Sequence, residues 1–259
     1  MRMMKKVLGT VTVLALSVSL LTGCGSTAAS PVSSVASTAA ESTTSSVVSE
    51  TTSAAADENV AAAAQLLNDL TGSYQELWPV ILADEYQQTW LDDCTAIVGE
   101  ENAEATFEKL SSMVTSDVYG EDAVEAYANG GGAYFCGFTN SLATLTFDGE
   151  TSTISGTDKD GNVLFSHTYH YIGMEPVHGL YEFESDDADS GEFTYFFLAP
   201  DTSAETYHIE FRYGSDAEAL SQYDAGEYAY WVASGISTDC DQTMIDNCIE
   251  LFCTENLAG

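Results

Sequence analysis

Apolar residues recur with a helical period in the first half of the chain and with a period of two over most of the second. From about residue 58 the spacing predicts a helix capped by Asp57 and running through Leu70, with an Ala-rich run inside it. Leu77, Val80 and Ile81 form a second apolar stripe with Pro79 in its first turn. Asn102 is positioned to cap a helix that carries Phe107, Leu110 and Val114, and a shorter helix over 121–128 ends at Gly130-Gly131-Gly132. After that triplet the alternation predicts strands at 133–139, 142–147, 151–156, 162–172, 179–184, 191–198 and 205–213. Asp148-Gly149 and Asp160-Gly161 are hairpin dipeptides that tolerate positive φ, and the acidic 185–190 stretch reads as a solvated loop. The chain returns to helix at its end, with Met244, Ile245, Cys248, Ile249 and Phe252 on one stripe and Thr238 or Asp239 as cap. Short strands joined by tight turns point to an antiparallel barrel or sandwich flanked by helices, an α+β class that is mainly β.

The first 57 residues follow different rules. Arg2, Lys5 and Lys6 precede an apolar run from Val7 to Leu21, the pattern of a targeting segment and too short for a confident membrane span. Leu21-Thr22-Gly23-Cys24 resembles the lipobox of bacterial lipoproteins, in which the Cys thiol accepts the lipid. Residues 24–57 are rich in Ser, Thr and Ala and bury too little apolar area to offset chain entropy, so a disordered tether is expected. The expected organisation is a signal peptide at 1–23, a tether at 24–57 and one folded domain at 58–259. The domain would be extracytoplasmic and held to the cell membrane through lipid on Cys24.

Composition narrows the partners. Six Lys and Arg stand against 41 Asp and Glu, for a formal charge of -35. That field repels nucleic acid and anionic lipid headgroups and attracts cations. Membrane contact is therefore expected through the lipid anchor alone, and nucleic acid is excluded as a partner. The sequence has no G-x-S-x-G elbow, no phosphate-cradling glycine loop and no H-E-x-x-H, so a binding protein is expected rather than an enzyme.

Four histidines are the scarce donors. On 205–213, alternation puts Tyr207, Ile209, Phe211 and Tyr213 on one face, and Thr206, His208, Glu210 and Arg212 on the other. Read from the residues alone, His208, Glu210 and Arg212 form an ion-pair row. His167 and His170 point to opposite faces of one strand, His167 among aromatics and His170 on the more polar side. His178 falls in a turn and reads as solvated. Asp158-Lys159-Asp160-Gly161-Asn162 hints at a calcium loop but lacks the distal Glu, so a hairpin turn is preferred. Asp186, Asp187 and Asp189 could hold calcium only weakly. Beyond Cys24 there are Cys94, Cys136, Cys240, Cys248 and Cys253, an odd number with no C-x-x-C, and their pairing stays open.

Four segments carry a family likeness. They are Ser73-Tyr74-Gln75-Glu76-Leu77-Trp78-Pro79; Gly137-Phe138-Thr139-Asn140 running into Leu145-Thr146-Phe147; Tyr181–Glu184 with Gly191–Tyr195; and Leu198-Ala199-Pro200 followed by Tyr207–Phe211 and Gly214–Leu220. In order and spacing they resemble the ZinT family of zinc-binding domains, also found at the C-terminus of some streptococcal zinc-uptake lipoproteins. The resemblance implies a calycin-like (lipocalin-like) antiparallel barrel with an N-terminal helical subdomain and a C-terminal helix, the first of the four segments being its opening helix. It also implies capture or delivery of zinc or another divalent cation, with a metal-uptake transporter as partner. The family's three histidines are only partly matched. Phe196 stands where one belongs, and with one residue inserted Thr206 stands for the second, leaving His208. Glu210, His170 and Glu184 are the candidate replacement ligands. The alternative is a calycin-type barrel that has lost the metal. It would hold a small apolar or aromatic ligand near Tyr207, Phe196 and Phe197, or present an apolar patch to a protein partner. Metal binding gains if the face of Thr206, His208 and Glu210 points into the barrel with another His, and loses if aromatic side chains fill the interior.

Overall fold

A computed structural model describes residues 47–200 and 203–257, with side chains from residue 58 onward. The targeting segment and Cys24 lie outside the described residues. Eight strands close into a barrel: β1 (Gly72–Glu76), β2 (Thr144–Asp148), β3 (Thr153–Thr157), β4 (Val163–Met174), β5 (Tyr181–Ser185), β6 (Tyr195–Leu198), β7 (Ile209–Gly214) and β8 (Ala233–Ser237). Each pairs antiparallel with its neighbour in sequence, and β8 closes on β1 through Tyr74 opposite Ser237 and Glu76 opposite Gly235. The helices are α1 (Val47–Asp69), α2 (Leu77–Ile81), α3 (Gln87–Val98), α4 (Glu100–Ser112), α5 (Glu121–Ala128), α6 (Ser203–Thr206), α7 (Ala217–Leu220) and α8 (Gln242–Leu257). Helices α2–α5 form an insertion between β1 and β2 rather than a unit that precedes the barrel.

Of the antiparallel barrel or sandwich that the alternation allows, the barrel is the observed architecture, and several local readings are corrected. Residues 73–76 are strand, not helix. Tyr74 turns its ring into the barrel against Phe147, centroids 5.8 Å apart, and pairing on both sides overrides the local helical pattern. Residues 133–139 form no regular strand. Phe135 makes isolated bridges to Thr115 and Trp231, and Cys136 accepts from the Ser234 amide at 3.0 Å, so this segment runs beside the barrel. Strand β6 begins only at Tyr195, after a 3-10 turn over Gly191–Phe193, and β7 begins at Ile209, after the helical turn of α6. The last helix is capped by Asp241, whose Oδ1 accepts from the Met244 amide at 2.9 Å, rather than by Thr238 or Asp239. Helix α1 begins at Val47, inside the stretch assigned to the tether and ahead of the Asp57 cap.

Two apolar cores result. The first fills the barrel. Phe196 stacks against Tyr213 at 5.3 Å, Phe165 stacks against Phe193 at 4.0 Å, and Phe147, Phe183, Phe211 and Trp231 complete the packing. Helix α1 joins this core through Ala63, Leu66, Leu67 and Leu70. Its approach depends on Gly149 in the β2–β3 turn, where an added Cβ would lie 2.4 Å from the Asn68 Cα. The second core joins the outer side of β8, through Ile236, to Leu77, Ile81, Trp90, Leu110, Ile245 and Ile249 on α2, α3, α4 and α8.

Phe196 is fully buried among these rings. Phe196→Ala is expected to lower the unfolding free energy by about 3–5 kcal/mol, read from urea denaturation, with the barrel's far-UV signature retained in water.

Candidate functional site

Filling the barrel with rings pushes the polar residues of β7 outward. Ile209, Phe211 and Tyr213 face the interior as the alternation requires. Glu210 and Arg212 face the layer made by the 215–232 segment, the 134–136 segment and α8. The alternation fails only at Tyr207, whose φ of +63° departs from strand geometry. Its ring packs with the second core rather than on the Ile209 face. Tyr207 therefore does not share a pocket with Phe196 and Phe197, and the interior ligand site expected around those three residues is not formed.

The turn at Tyr207 sets His208. Its Nδ1 lies 2.6 Å from the Thr206 carbonyl oxygen, and Thr206 Oγ1 donates to the His208 carbonyl at 2.7 Å. An Nδ1–H given to a backbone carbonyl leaves Nε2 as the ring nitrogen that faces other side chains. Nε2 lies 3.7 Å from Glu210 Oε1, and the same imidazole bonds to the Cys248 side chain on α8. Cys248 is buried, while His208 and Glu210 keep 18% and 25% of their side-chain surface. Burial is the largest influence on this imidazole and disfavours its charged form. The Cys248 and Glu210 contacts outweigh it and hold the His208 pKa well above the usual value. Next to them, Cys136 lies against Ser234 and Trp78, and burial pushes its thiol up, with the Glu210 carboxylate adding to the effect.

The other candidate ligands lie elsewhere. His170 stands opposite Glu184 across β4 and β5, its Nε2 4.0 Å from Glu184 Oε2 and its Nδ1 2.7 Å from Asp186 Oδ1. Glu184 is in register with Tyr195, and Tyr195 with Gly214, four residues along β7 from Glu210. At roughly 3.3 Å per residue that is about 13 Å along the strand, before the spacing across β6 is added. His170 and Glu184 therefore cannot complete a site with His208 and Glu210; the proposed four-ligand set is two separate pairs. No group of three or more His, Cys, Asp or Glu among the described residues is arranged to hold a metal ion. His167, on the aromatic side of β4, bonds Asp187 at 2.8 Å. The 158–162 segment is a turn, as preferred. Asp158 accepts from the Asp160 and Asn162 amides, and the Asn162 side-chain and backbone bonds hold its carboxyl below the usual range.

Sequence reasoning missed the role of Arg212. It is fully buried, not part of an exposed row. Its guanidinium donates to the carbonyls of Leu220, Gln222 and Tyr228 and lies 4.2 Å above the Tyr223 ring. Burial lowers its pKa, and contact with Tyr223 works in the opposite direction. His178 is not the solvated turn residue expected. Its ring rests against Tyr223 at 3.8 Å, and its Nδ1 lies 3.6 Å from the buried Glu175 carboxylate, which accepts from the Val177 and His178 amides. His178 and Tyr223, with Tyr134, Leu180, Glu210, Phe211 and Val232, line a small cavity of about 30 Å³, large enough to admit water. The sequence signal was available: Arg212 is one of only three basic residues after Lys6.

No protein-family model matches the chain, and no characterised protein matches it in sequence. Solved structures similar to it include two of zinc-bound proteins. One is the Zn(II)-bound ZinT-like domain of Streptococcus pneumoniae AdcA, at 16% identity and a TM-score of 0.45, covering 71% of this chain and 89% of that one. The other is Zn(II)-bound AdcA from the same organism, at 14% identity and a TM-score of 0.43, covering 70% of this chain and 34% of that one. The chain thus spans about a third of whole AdcA. The name ZinT-like is the one reached from the four sequence segments.

Two outcomes test the site's electrostatics. The folded His208 pKa is raised, so its contribution to stability is full below the unfolded value near 6.5 and is lost as pH rises through the folded value. The stability gap between wild type and His208→Gln should therefore be widest at acidic pH and close in alkaline buffer, as followed by urea denaturation at several pH values. Arg212→Met leaves three carbonyls without their donor and should cost about 3–5 kcal/mol by the same measurement.

Proposed function

We propose that this domain is an extracytoplasmic, membrane-tethered divalent-metal-binding protein whose cargo is zinc, held at His208 and Glu210. The observation that supports this reading is the pair itself. A histidine has its Nδ1 fixed by a backbone carbonyl and its Nε2 turned toward a carboxylate 3.7 Å away. Fixing one nitrogen on a backbone acceptor is the usual arrangement behind a metal-ligating imidazole. Two ligands on one tetrahedral zinc, each bonded at about 2.0–2.2 Å, lie roughly 3.3 Å apart, so a small inward rotation brings this pair to coordination distance. Zinc in this reading takes two protein donors and completes its shell with water. Such a site releases its cargo readily, as delivery to a metal-uptake transporter requires.

The chain's acidity supports the same reading through cation attraction. A proton and a metal ion compete for the same Nε2, and binding should weaken as pH falls. We read the domain as a binding module, not an enzyme, and lipid on Cys24 remains the proposed anchor. Zinc titration of the purified protein by calorimetry tests the site. The expected result is binding tighter than millimolar at pH 7.5, weakened tenfold or more by His208→Ala and by Glu210→Gln, and unchanged by His170→Ala. Affinity no better than millimolar, or indifference to His208→Ala, would falsify the reading.

A further inference from the structure

Cys94 on α3 and Cys253 on α8 place their sulfurs 3.9 Å apart. Both side chains are fully buried, in the apolar core that joins α2, α3, α4 and α8 to β8. The other three described cysteines face different groups: Cys136 meets Ser234 and Trp78, Cys248 meets His208, and Cys240 lies half-buried just before α8. A disulfide needs sulfurs about 2.05 Å apart, so the Cys94 and Cys253 sulfurs must approach by roughly 2 Å, within reach of a change in side-chain rotamer. We propose that Cys94 and Cys253 are a disulfide-forming pair that staples α8, the last helix of the domain, to α3.

The step is thiol–disulfide exchange with a small-molecule disulfide. One protein thiolate attacks that disulfide, forms a mixed disulfide and releases one small thiol. The second protein thiol gives up its proton, attacks the mixed disulfide and expels the second small thiol. The two protein sulfurs lose two electrons, which leave on the two small thiols. Burial raises the pKa of both thiols, so exchange in the closed fold is slow and the bond forms more readily while the chain is folding. Once made, the link closes a long loop that includes α4, α5 and β2–β8, while β1 stays outside it. It also fixes the helix that brings Cys248 to His208.

Purified full-length protein is to be refolded with oxidised glutathione, or with dithiothreitol, and mapped without reduction by mass spectrometry. The expected result is a single linked peptide pair, Cys94 with Cys253, and two fewer titratable thiols. The melting temperature should be higher by roughly 5–15 °C than in the reduced chain. Cys94→Ser and Cys253→Ser should each abolish the link and the added melting temperature, while Cys240→Ser keeps both. Should a serine variant fail to fold, the map of the wild-type chain decides. An unchanged thiol count, a link between other cysteines, or a link that leaves the melting temperature where it was would each overturn the proposal.

Discussion

The aromatic filling of the barrel is the constraint on which the rest of the molecule depends. Phe147, Phe165, Phe183, Phe196, Phe211 and Tyr213 occupy the interior, so the polar side chains of the strands face outward. A lipocalin-type site needs an open interior. This chain instead places its polar chemistry on the outside of β7 and covers that face with a second layer. Even the Tyr213 hydroxyl is committed to packing: it donates to the Thr139 carbonyl and accepts from the Thr139 amide, anchoring the segment before β2.

The covering layer depends on one cation. The segment from Ser215 to Val232 contains only the four-residue helix α7, and those of its carbonyls that turn inward, at Leu220 and Tyr228, need donors where water is excluded. Arg212 supplies them to Leu220, Gln222 and Tyr228, and its face supports the Tyr223 ring. Tyr223 in turn carries the His178 ring, so the turn after β4, the loop before β8 and β7 are joined through one guanidinium. A lysine could not repeat this, because a single ammonium lacks the planar fork. In a chain with this excess of acid, burying one of so few cations against neutral carbonyls withdraws it from the surface carboxylates.

How legible this was in the sequence differs by element. Strands β2 to β5 were readable because each has one face in the core, so alternation and turn dipeptides agree with the fold. Strand β8 was not readable. Ala233–Ser237 is small and covered on both sides, so the period-two signal vanishes. Strand β1 was hidden because closing a barrel is a long-range event that local pattern does not encode. At the site, the pairing of His208 with Glu210 followed from periodicity, and their separation from His170 and Glu184 did not. That separation depends on strand register, which a turn at Gly191 and a helical turn at Ser203 shift in ways no residue spacing reveals. The contact of Cys248 with His208 joins the end of the chain to β7 and was equally out of reach.

Among so many carboxylates, His208 and Glu210 are distinguished by how rigidly they are held. The paired acids around His170 and His167 are exposed, and their geometry is kept by side chains free to rotate. His208 follows a residue in the left-handed region, a conformation that costs a tyrosine roughly 1–2 kcal/mol. Packing of the Tyr207 ring into the second core offsets that cost. The conformation ends the helical turn of α6 and presents the His208 ring to both Thr206 and Glu210. A regular strand would have kept Tyr207 on the inner face and left His208 without the Thr206 carbonyl. Backbone strain at Tyr207 is thus coupled to the orientation of the scarce imidazole, and the cost of ordering that ring is met during folding.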